Sequence, residues 1–124
     1  MPRAEITPGL ISRIHDAALR ETGGTAGILD HGTLEHIVSK AEAEADPVVR
    51  ASIYLHDIVK LHPFFDGNKR TAVNVCFLVL DEAGLVPEAS TTEWVSLVLD
   101  LAQYRGTVRG VARWLRARVR RRRV

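Results

Sequence analysis

The stretch "HPFFDGNKRT", residues 62–71, places a histidine, a carboxylate, a Gly-Asn pair and two adjacent cations within ten residues. Before it, residues 47–61 have helical periodicity, and after it comes the strongly apolar run "AVNVCFLVL", residues 72–80. Because the residue preceding a proline avoids helical backbone angles, the first of these helices should end before Pro63. The stretch therefore predicts a polar loop between two packed helices, the second of which begins at Asn68.

The composition suits one domain spanning residues 1–124, since 46% of the 124 residues are hydrophobic. The single cysteine, Cys76, excludes a disulfide framework within one chain, and its apolar surroundings favour a core residue over a nucleophile. The longest apolar run, residues 75–80, has six residues, whereas a membrane span needs about 20. With no apolar leader segment at the start, we expect a soluble, cytoplasmic protein without membrane contact.

Charge is distributed unevenly along the chain. Residues 1–104 carry 8 Lys and Arg against 15 Asp and Glu, a formal charge of −7, whereas residues 105–124 carry 9 Arg and no acidic residue. The Arg-rich C-terminal tail, at about residues 113–124, could bind nucleic acid or an acidic partner. It could equally be a solvated helix end with most arginines in solvent.

Caps, prolines and apolar periodicity predict an all-α fold. Thr7-Pro8 and Asp46-Pro47 each combine a capping residue with a proline at the first helical position. The glycine-rich segment "GGTAGILD", residues 23–30, predicts a loop or a short hairpin. We expect a compact bundle of about six helices around a central buried helix at residues 68–82. The helices should begin near Pro8, Asp30, Pro47, Asn68, Thr91 and Thr107, and the last should carry Val108, Val111, Ala112, Leu115 and Val119 on one face.

The start of the helix at Asn68 has the chemistry of a phosphate site. Free backbone N–H groups and the positive end of the helix dipole attract anions. Gly67 permits a close approach of the backbone to a ligand, and Lys69 and Arg70 add two cations. We therefore predict that residues 67–70 bind phosphate groups.

Two further side chains complete a candidate catalytic site. Asp66 stands beside the predicted anion site, where a carboxylate and phosphate oxygens together could hold Mg²⁺. His62 would be the general base, because the unperturbed imidazole of a histidine has a pKa near neutrality, about 6.5, which suits proton transfer. In a purely structural alternative, His62 caps a helix and Asp66 pairs with Lys69 or Arg70.

The motif "HPFFDGNKRTA", residues 62–72, resembles the signature of the Fic/Doc family, His-Pro-Phe-x-Asp/Glu-Gly-Asn-x-Arg. Residues 6–30, "ITPGLISRIHDAALRETGGTAGILD", are similar to the N-terminal helix and flap of its Doc (death-on-curing) branch, including the pair His15-Asp16. The resemblance covers most of the chain apart from the arginine tail. It implies the helical Fic/Doc fold and the toxin of a toxin–antitoxin pair, a protein-modifying transferase that uses ATP and Mg²⁺.

The resemblance also implies a role for each motif residue. His62 corresponds to the general base, Asp66 to the Mg²⁺ carboxylate, and the turn from Gly67 to Arg70 to the nucleotide-phosphate site. Asn74 matches an asparagine of the Doc pattern and could orient Arg70 or satisfy a buried backbone group. The implied catalytic residues are His62, Asp66, Lys69 and Arg70, and the implied nucleotide-binding residues are Gly67, Asn68, Lys69, Arg70 and Asn74.

Two departures from the adenylylating Fic pattern favour the Doc branch, which transfers the γ-phosphate of ATP to a threonine of elongation factor Tu. Lys69 replaces a glycine, and Val73 stands where a second arginine would help to grip a triphosphate. Phosphate transfer is therefore the expected activity, with transfer of AMP as the alternative. A second alternative is an antitoxin-binding co-repressor module with weak or no catalysis.

Partners are implied by the same resemblance. Many Fic proteins carry an inhibitory helix ending in Glu-Gly or Glu-Asn, and neither dipeptide occurs in this chain. We expect an antitoxin to supply restraint, with indirect DNA contact through that antitoxin or through the arginine tail. Gly23, Gly24 and Gly27 match the family's flap, which aligns a target segment by main-chain pairing; an ordinary mobile loop is the alternative.

The chain also has features of another class, the HD metal-dependent phosphohydrolases. His15-Asp16 and His56-Asp57 are two His-Asp pairs, but their intervals are too short for separate helices to deliver four metal ligands. We instead expect His56 to be a partly exposed helix residue. His31 and His36 should lie at the surface.

Overall fold

The computed structural model describes Arg3 and residues 5–123, which form six α-helices and a two-stranded antiparallel sheet. The helical fold predicted from the sequence is confirmed. No helix in these residues is both long and apolar enough to cross a lipid bilayer. The elements in chain order are α1 Pro8–Thr22, α2 His31–Glu42, α3 Pro47–Leu61, α4 Asn68–Glu82, β1 Leu85–Pro87, α5 Thr91–Ala102, α6 Val108–Arg116 and β2 Val119–Arg121.

Local capping fixes where most helices begin. The Thr7 hydroxyl accepts the Leu10 N–H at 3.1 Å, and the Asp30 carboxylate accepts the Thr33 N–H at 3.1 Å. Ser90 and Glu93 form a reciprocal capping box at the start of α5. These starts agree with the sequence prediction because each depends on residues within one turn.

The central helix is α3 and not α4. Every residue from Ala51 to Val59 is buried, because α3 packs against α2, α4, α5 and α6. In α4, by contrast, Asn74 and Phe77 are exposed and Val73 is only half-buried. The apolar character of α4 on nearly all sides predicts complete burial, but one apolar face of this helix lines a surface groove. Cys76 does lie in the core, where burial raises the pKa of its thiol to about 12.

The arginine tail is folded onto the body of the protein. The last helix ends at Arg116, so Val119 does not continue its apolar face; it begins β2, which pairs with β1 through partners such as Val86 and Arg120. The predicted helix through Val119 was therefore wrong. Most of the tail arginines in the described residues are exposed, as the solvated alternative expects, and among them only Arg118 is half-buried. Four arginines form ion pairs with acidic residues of the body: Arg116 with Asp46, Arg118 with Glu93, Arg120 with Glu88, and Arg122 with Asp81.

Strand alternation explains this pairing. Successive side chains of an extended segment point to opposite sides, so Arg118, Arg120 and Arg122 share one side. That side faces acidic residues of the body, and Arg118 also stacks its guanidinium 4.2 Å from the centre of the Trp114 ring. The hydrogen bond from Arg118 lowers the pKa of Glu93 below its ordinary value. The tail thus neutralises part of the acidic body.

Replacing Arg120 and Arg122 together with serine should lower the free energy of unfolding by about 1 kcal/mol at low salt, because exposed ion pairs each contribute about 0.2–1 kcal/mol. Thermal unfolding at about 0.05 M and about 1 M NaCl measures this effect, which should shrink at the higher concentration as the charges are screened. The matched control replaces Arg121 and Arg123, which make no ion pair with an acidic side chain in the described residues. Equal losses in both double variants would contradict a stabilising role for the pairs.

Candidate functional site

His62 ends α3 in a left-handed backbone conformation, with φ 52° and ψ 61°. Its N–H donates to the Ile58 carbonyl at 3.3 Å, and its side chain is exposed. This conformation is uncommon for a residue other than glycine and costs about 1–3 kcal/mol, so such residues concentrate at functional sites. The turn redirects the chain into the loop of residues 62–67, called the motif loop below.

Asn68 closes the motif loop by bonding to Phe64 in both directions. The Phe64 N–H donates to Asn68 Oδ1 at 3.0 Å, and Asn68 Nδ2 donates to the Phe64 carbonyl at 2.9 Å. Both residues are buried. The Asn68 side chain therefore holds the loop, and its backbone N–H is the part of the residue that faces an incoming anion.

Asp66 is held at three points, yet its carboxylate stays exposed. Its Oδ1 accepts the Gly67 N–H and its Oδ2 accepts the Thr25 N–H, each at 3.1 Å, while its carbonyl lies 2.6 Å from His15 Nε2. Its carboxylate makes no ion pair with Lys69 or Arg70 among the described residues, so the purely structural alternative for Asp66 is wrong. Each carboxylate oxygen keeps a free lone pair that can bind a cation.

The flap segment, residues 23–30, pairs with the motif loop and does not form a hairpin of its own. The Leu29 and Asp30 N–H groups donate to the Pro63 carbonyl at 2.8 and 3.1 Å, and Ile28 forms an antiparallel bridge with Phe64. At Gly24, with φ 117°, a Cβ atom would lie only 2.9 Å from Asp66 Oδ2. The flap segment thus packs beside Asp66 and is hydrogen-bonded to the motif loop.

These elements surround an open cleft of about 450 Å³ beside His62, called the His62 cleft below. Of the predicted site residues, Asn74 lies outside it, on the next turns of α4. Because Asn74 is exposed, it does not satisfy a buried backbone group. The predicted residues that the cleft brings together are His62, Asp66, Gly67, Asn68, Lys69 and Arg70.

The N-terminus of α4 differs from the starts of the other five helices in the described chain. Each of those begins with a side chain that accepts a backbone N–H, whereas α4 begins at Gly67, with φ 74° and no side-chain cap. Its first N–H groups therefore keep their capacity to bind an anion. Arg70, which also lines the cleft, bonds to Glu21 at the end of α1 at 2.8 Å.

A second cleft, the α4–α5 groove, adjoins the first and was missed by sequence reasoning. It has a volume of about 520 Å³, and Lys69 and Arg70 line both clefts. The apolar run of α4 predicts a buried helix, although apolar residues on nearly every side of α4 could have indicated a surface groove. The apolar side chains of the groove come from both α4 and α5. They are Val73, Phe77, Trp94, Val95, Val98 and Leu99.

The remaining histidines do not form a metal cluster. His56 is buried, not partly exposed as predicted, because it lies on the central helix; its Nδ1 is 2.7 Å from Asp57 Oδ1, and Lys40 Nζ is 3.0 Å from Asp57 Oδ2. Burial raises the pKa of Asp57, but these two partners outweigh burial and hold it below its ordinary value. The described residues contain no group of three His, Cys, Asp or Glu that could hold a metal, as an HD-type site requires. His31 and His36 are exposed, as predicted.

Comparison with known proteins finds similarity to two kinds of transferase. The family model described as Fic/DOC matches residues 5–80. Protein kinase doc of Escherichia phage P1 is 32% identical over 117 residues, covering 90% of this chain and 92% of that protein. The proteins named protein adenylyltransferase fic-1 of Caenorhabditis briggsae and Caenorhabditis elegans are each 37% identical over 82 residues, covering 61% of this chain but only 16% of their own length.

Changing Glu21 to glutamine should raise the affinity of the His62 cleft for a polyphosphate by about 2- to 5-fold, because Arg70 no longer has to leave a carboxylate. Calorimetric titration with tripolyphosphate and with ATP measures this. The matched control is Glu35→Gln, which removes the same charge from an exposed position on α2. The same gain in both variants would show that net charge matters and the pair with Arg70 does not.

Proposed function

The chain belongs to the Fic/Doc family, and from this premise we propose that it transfers the γ-phosphate of ATP to a hydroxyl group of a target protein. The observation that carries the proposal is the single cleft shared by His62, Asp66 and the uncapped N-terminus of α4. A base, a carboxylate able to hold a cation and an anion site are the parts that phosphoryl transfer needs. The family's modification of protein hydroxyls supplies the reaction class.

Phosphate binding is assigned to the start of α4. The N–H groups of Asn68, Lys69 and Arg70 precede the first intrahelical bond, which runs from the Thr71 N–H to the Gly67 carbonyl at 3.0 Å. Glycine at position 67 allows the positive φ of 74° and the close packing on α1, where a Cβ atom would lie 3.2 Å from Leu19 and 3.5 Å from His15. Lys69 and Arg70 add positive charge, and Arg70 exchanges Glu21 for a phosphate oxygen.

Asp66 is the residue that would hold Mg²⁺. One carboxylate with free lone pairs, beside a phosphate site, fits an ion that is usually bound by one or two carboxylates together with substrate phosphates. When bound, the ion would neutralise charge on the phosphate oxygens. The backbone bonds from Gly67 and Thr25 hold the carboxylate facing the cleft.

His62 is assigned the role of general base. Its exposed ring takes part in no hydrogen bond among the described residues, so a ring nitrogen is free to accept a proton. As the target oxygen bonds to the γ-phosphorus, His62 takes the hydroxyl proton, and the bond from the γ-phosphorus to the bridging oxygen breaks to release ADP. The anion site holds the phosphates in place during this displacement.

The residue at position 73 favours phosphate transfer over AMP transfer. Val73 lines the apolar α4–α5 groove, so position 73 adds no second arginine to the nucleotide site beside Arg70. The relative matched over nearly its whole length is named a kinase, whereas the chain spans only 16% of the relatives named adenylyltransferases. AMP transfer remains the alternative, since both activities use the same base and carboxylate.

The target and location follow from the Doc-branch resemblance. We propose a threonine of elongation factor Tu as the acceptor, with the flap segment guiding the target strand, and a cytoplasmic location where ATP and that factor are present. The main chain of the flap is fixed against the motif loop on one side, which supports a defined docking edge.

An antitoxin is the proposed source of restraint, and the α4–α5 groove is its proposed docking surface. The groove is apolar along its length and cationic at its Lys69–Arg70 end, which suits a helix of about three turns with an acidic residue at that end. Such a residue would occupy the cations that the phosphates need. A co-repressor function without catalysis is the alternative, and DNA contact would then come through the antitoxin.

Incubation with ATP labelled at the γ-phosphate should label elongation factor Tu, whereas ATP labelled at the α-phosphate should not. His62→Ala should abolish the label without changing the circular dichroism spectrum, because His62 is exposed at the end of α3 and contributes no core contact. His36→Ala, at an exposed position on α2, is the matched control and should keep full activity. Label from the α-phosphate alone would replace the kinase proposal with AMP transfer.

Leu99→Asp should prevent inhibition by the antitoxin while leaving activity unchanged, because it places a charge in the apolar groove, away from His62. The measurement is growth of a bacterial host expressing the chain with and without a co-expressed candidate antitoxin. The control Tyr104→Asp changes an exposed residue outside the groove and should still be inhibited. Full inhibition of Leu99→Asp would place the antitoxin elsewhere.

A further inference from the structure

His15, in the middle of α1, contacts the motif loop although it belongs to a different part of the sequence. Only 1% of its surface is exposed. Its ring stacks on Phe64, with the ring centres 3.9 Å apart and the planes 6° from parallel. Its Nε2 lies 2.6 Å from the Asp66 carbonyl oxygen, and a Cβ atom built at Gly67 would lie 3.5 Å from the same nitrogen. None of the proposed catalytic steps uses this residue.

The hydrogen bond to Asp66 fixes the tautomer of His15. A carbonyl oxygen accepts and never donates, so Nε2 must carry the hydrogen. The other ring nitrogen, Nδ1, is 3.8 Å from Asp16 Oδ1, which is beyond hydrogen-bond distance. Since the ring is buried, water does not compete for the Nε2–H group.

This bond controls the orientation of the peptide that joins Asp66 to Gly67. A peptide unit is planar, so its C=O and N–H groups point in opposite directions. The carbonyl is held by His15, and the N–H donates to the Asp66 carboxylate at 3.1 Å. Rotation of this plane would turn the N–H away from the carboxylate, and Gly67 would offer little resistance because glycine accepts either sign of φ.

We propose that His15 is a positioning residue, which locks the Asp66–Gly67 peptide and thereby aims the Asp66 carboxylate and the start of α4 at the Mg²⁺-bound nucleotide. The part of this inference that concerns the nucleotide rests on the proposed function. The part that concerns the peptide orientation does not, so the two can fail separately. The stack on Phe64 sets the ring plane, and the Nε2–H group makes the contact that matters.

Two substitutions of His15 distinguish the effect of its hydrogen bond from the effect of its ring. His15→Phe keeps a ring that can stack on Phe64 but has no donor, whereas His15→Gln lacks the ring and keeps an N–H near the position of Nε2. Loss of the bond should raise the Mg²⁺ concentration needed for half-maximal phosphate transfer by about 10- to 100-fold, the usual effect of removing a group that orients a metal ligand. His15→Gln should recover most of this loss. His31→Phe, the same change at an exposed position on α2, should have no effect.

The decisive comparison is between His15→Phe and His15→Gln at matched thermal stability. Unchanged Mg²⁺ dependence in a folded His15→Phe protein would overturn the proposal, and so would a His15→Gln protein that is as impaired as His15→Phe. The wild-type protein provides a test that no folding defect can affect: nitrogen-15 NMR of the ring should find the hydrogen on Nε2. A ring with its hydrogen on Nδ1 alone would also overturn the proposal.

Amide hydrogen exchange distinguishes this inference from the proposed function. The Gly67 and Thr25 N–H groups, which both donate to the Asp66 carboxylate, should exchange faster in His15→Phe than in the wild type and His15→Gln. Faster exchange in His15→Phe supports the positioning role even if the wild type transfers no phosphate, in which case only the proposed function fails. Equal exchange in all three proteins would overturn the positioning role, whatever the activity.

Discussion

The site depends on the paired hydrogen bonds between the Asn68 side chain and the Phe64 backbone. Phe64 is buried, and a buried backbone group without a partner costs about 1–3 kcal/mol, so Asn68 supplies partners to two backbone groups that need them. The same bonds join the end of the loop to the first turn of α4. They therefore set the position of the motif loop relative to the free N–H groups of α4.

Around these paired hydrogen bonds, buried groups determine the shape of the motif loop, and exposed groups are accessible to substrates. His15 and Phe64 lie beneath the loop, the flap covers one side through the Pro63 carbonyl, and the carboxylate of Asp66 remains at the surface. Because the polar groups that shape the loop are mainly backbone atoms, substitutions of the exposed side chains should change chemistry more than fold. This division is typical of functional loops carried by a rigid scaffold.

Sequence reasoning succeeded where a feature depends on neighbouring residues and failed where it depends on distant ones. The caps at Thr7 and Asp30, the proline stop at Pro63 and the polar turn before α4 are local, and the motif residues do share one cleft. By contrast, the bond between Arg122 and Asp81 spans 41 positions, and the burial of His56 follows from four neighbouring helices. No periodicity in the tail shows which acidic residues will lie opposite its arginines.

The placement of Lys69 and Arg70 on the wall between the His62 cleft and the α4–α5 groove has a thermodynamic consequence. A guanidinium or ammonium that turns toward one side is lost to the other, so ligands of the two clefts compete for the same charges without overlapping in space. Linkage then requires reciprocity. The factor by which a groove ligand lowers the affinity for the nucleotide equals the factor by which the nucleotide lowers the affinity for the groove ligand. The cellular ATP concentration would thereby set how tightly any such ligand is held.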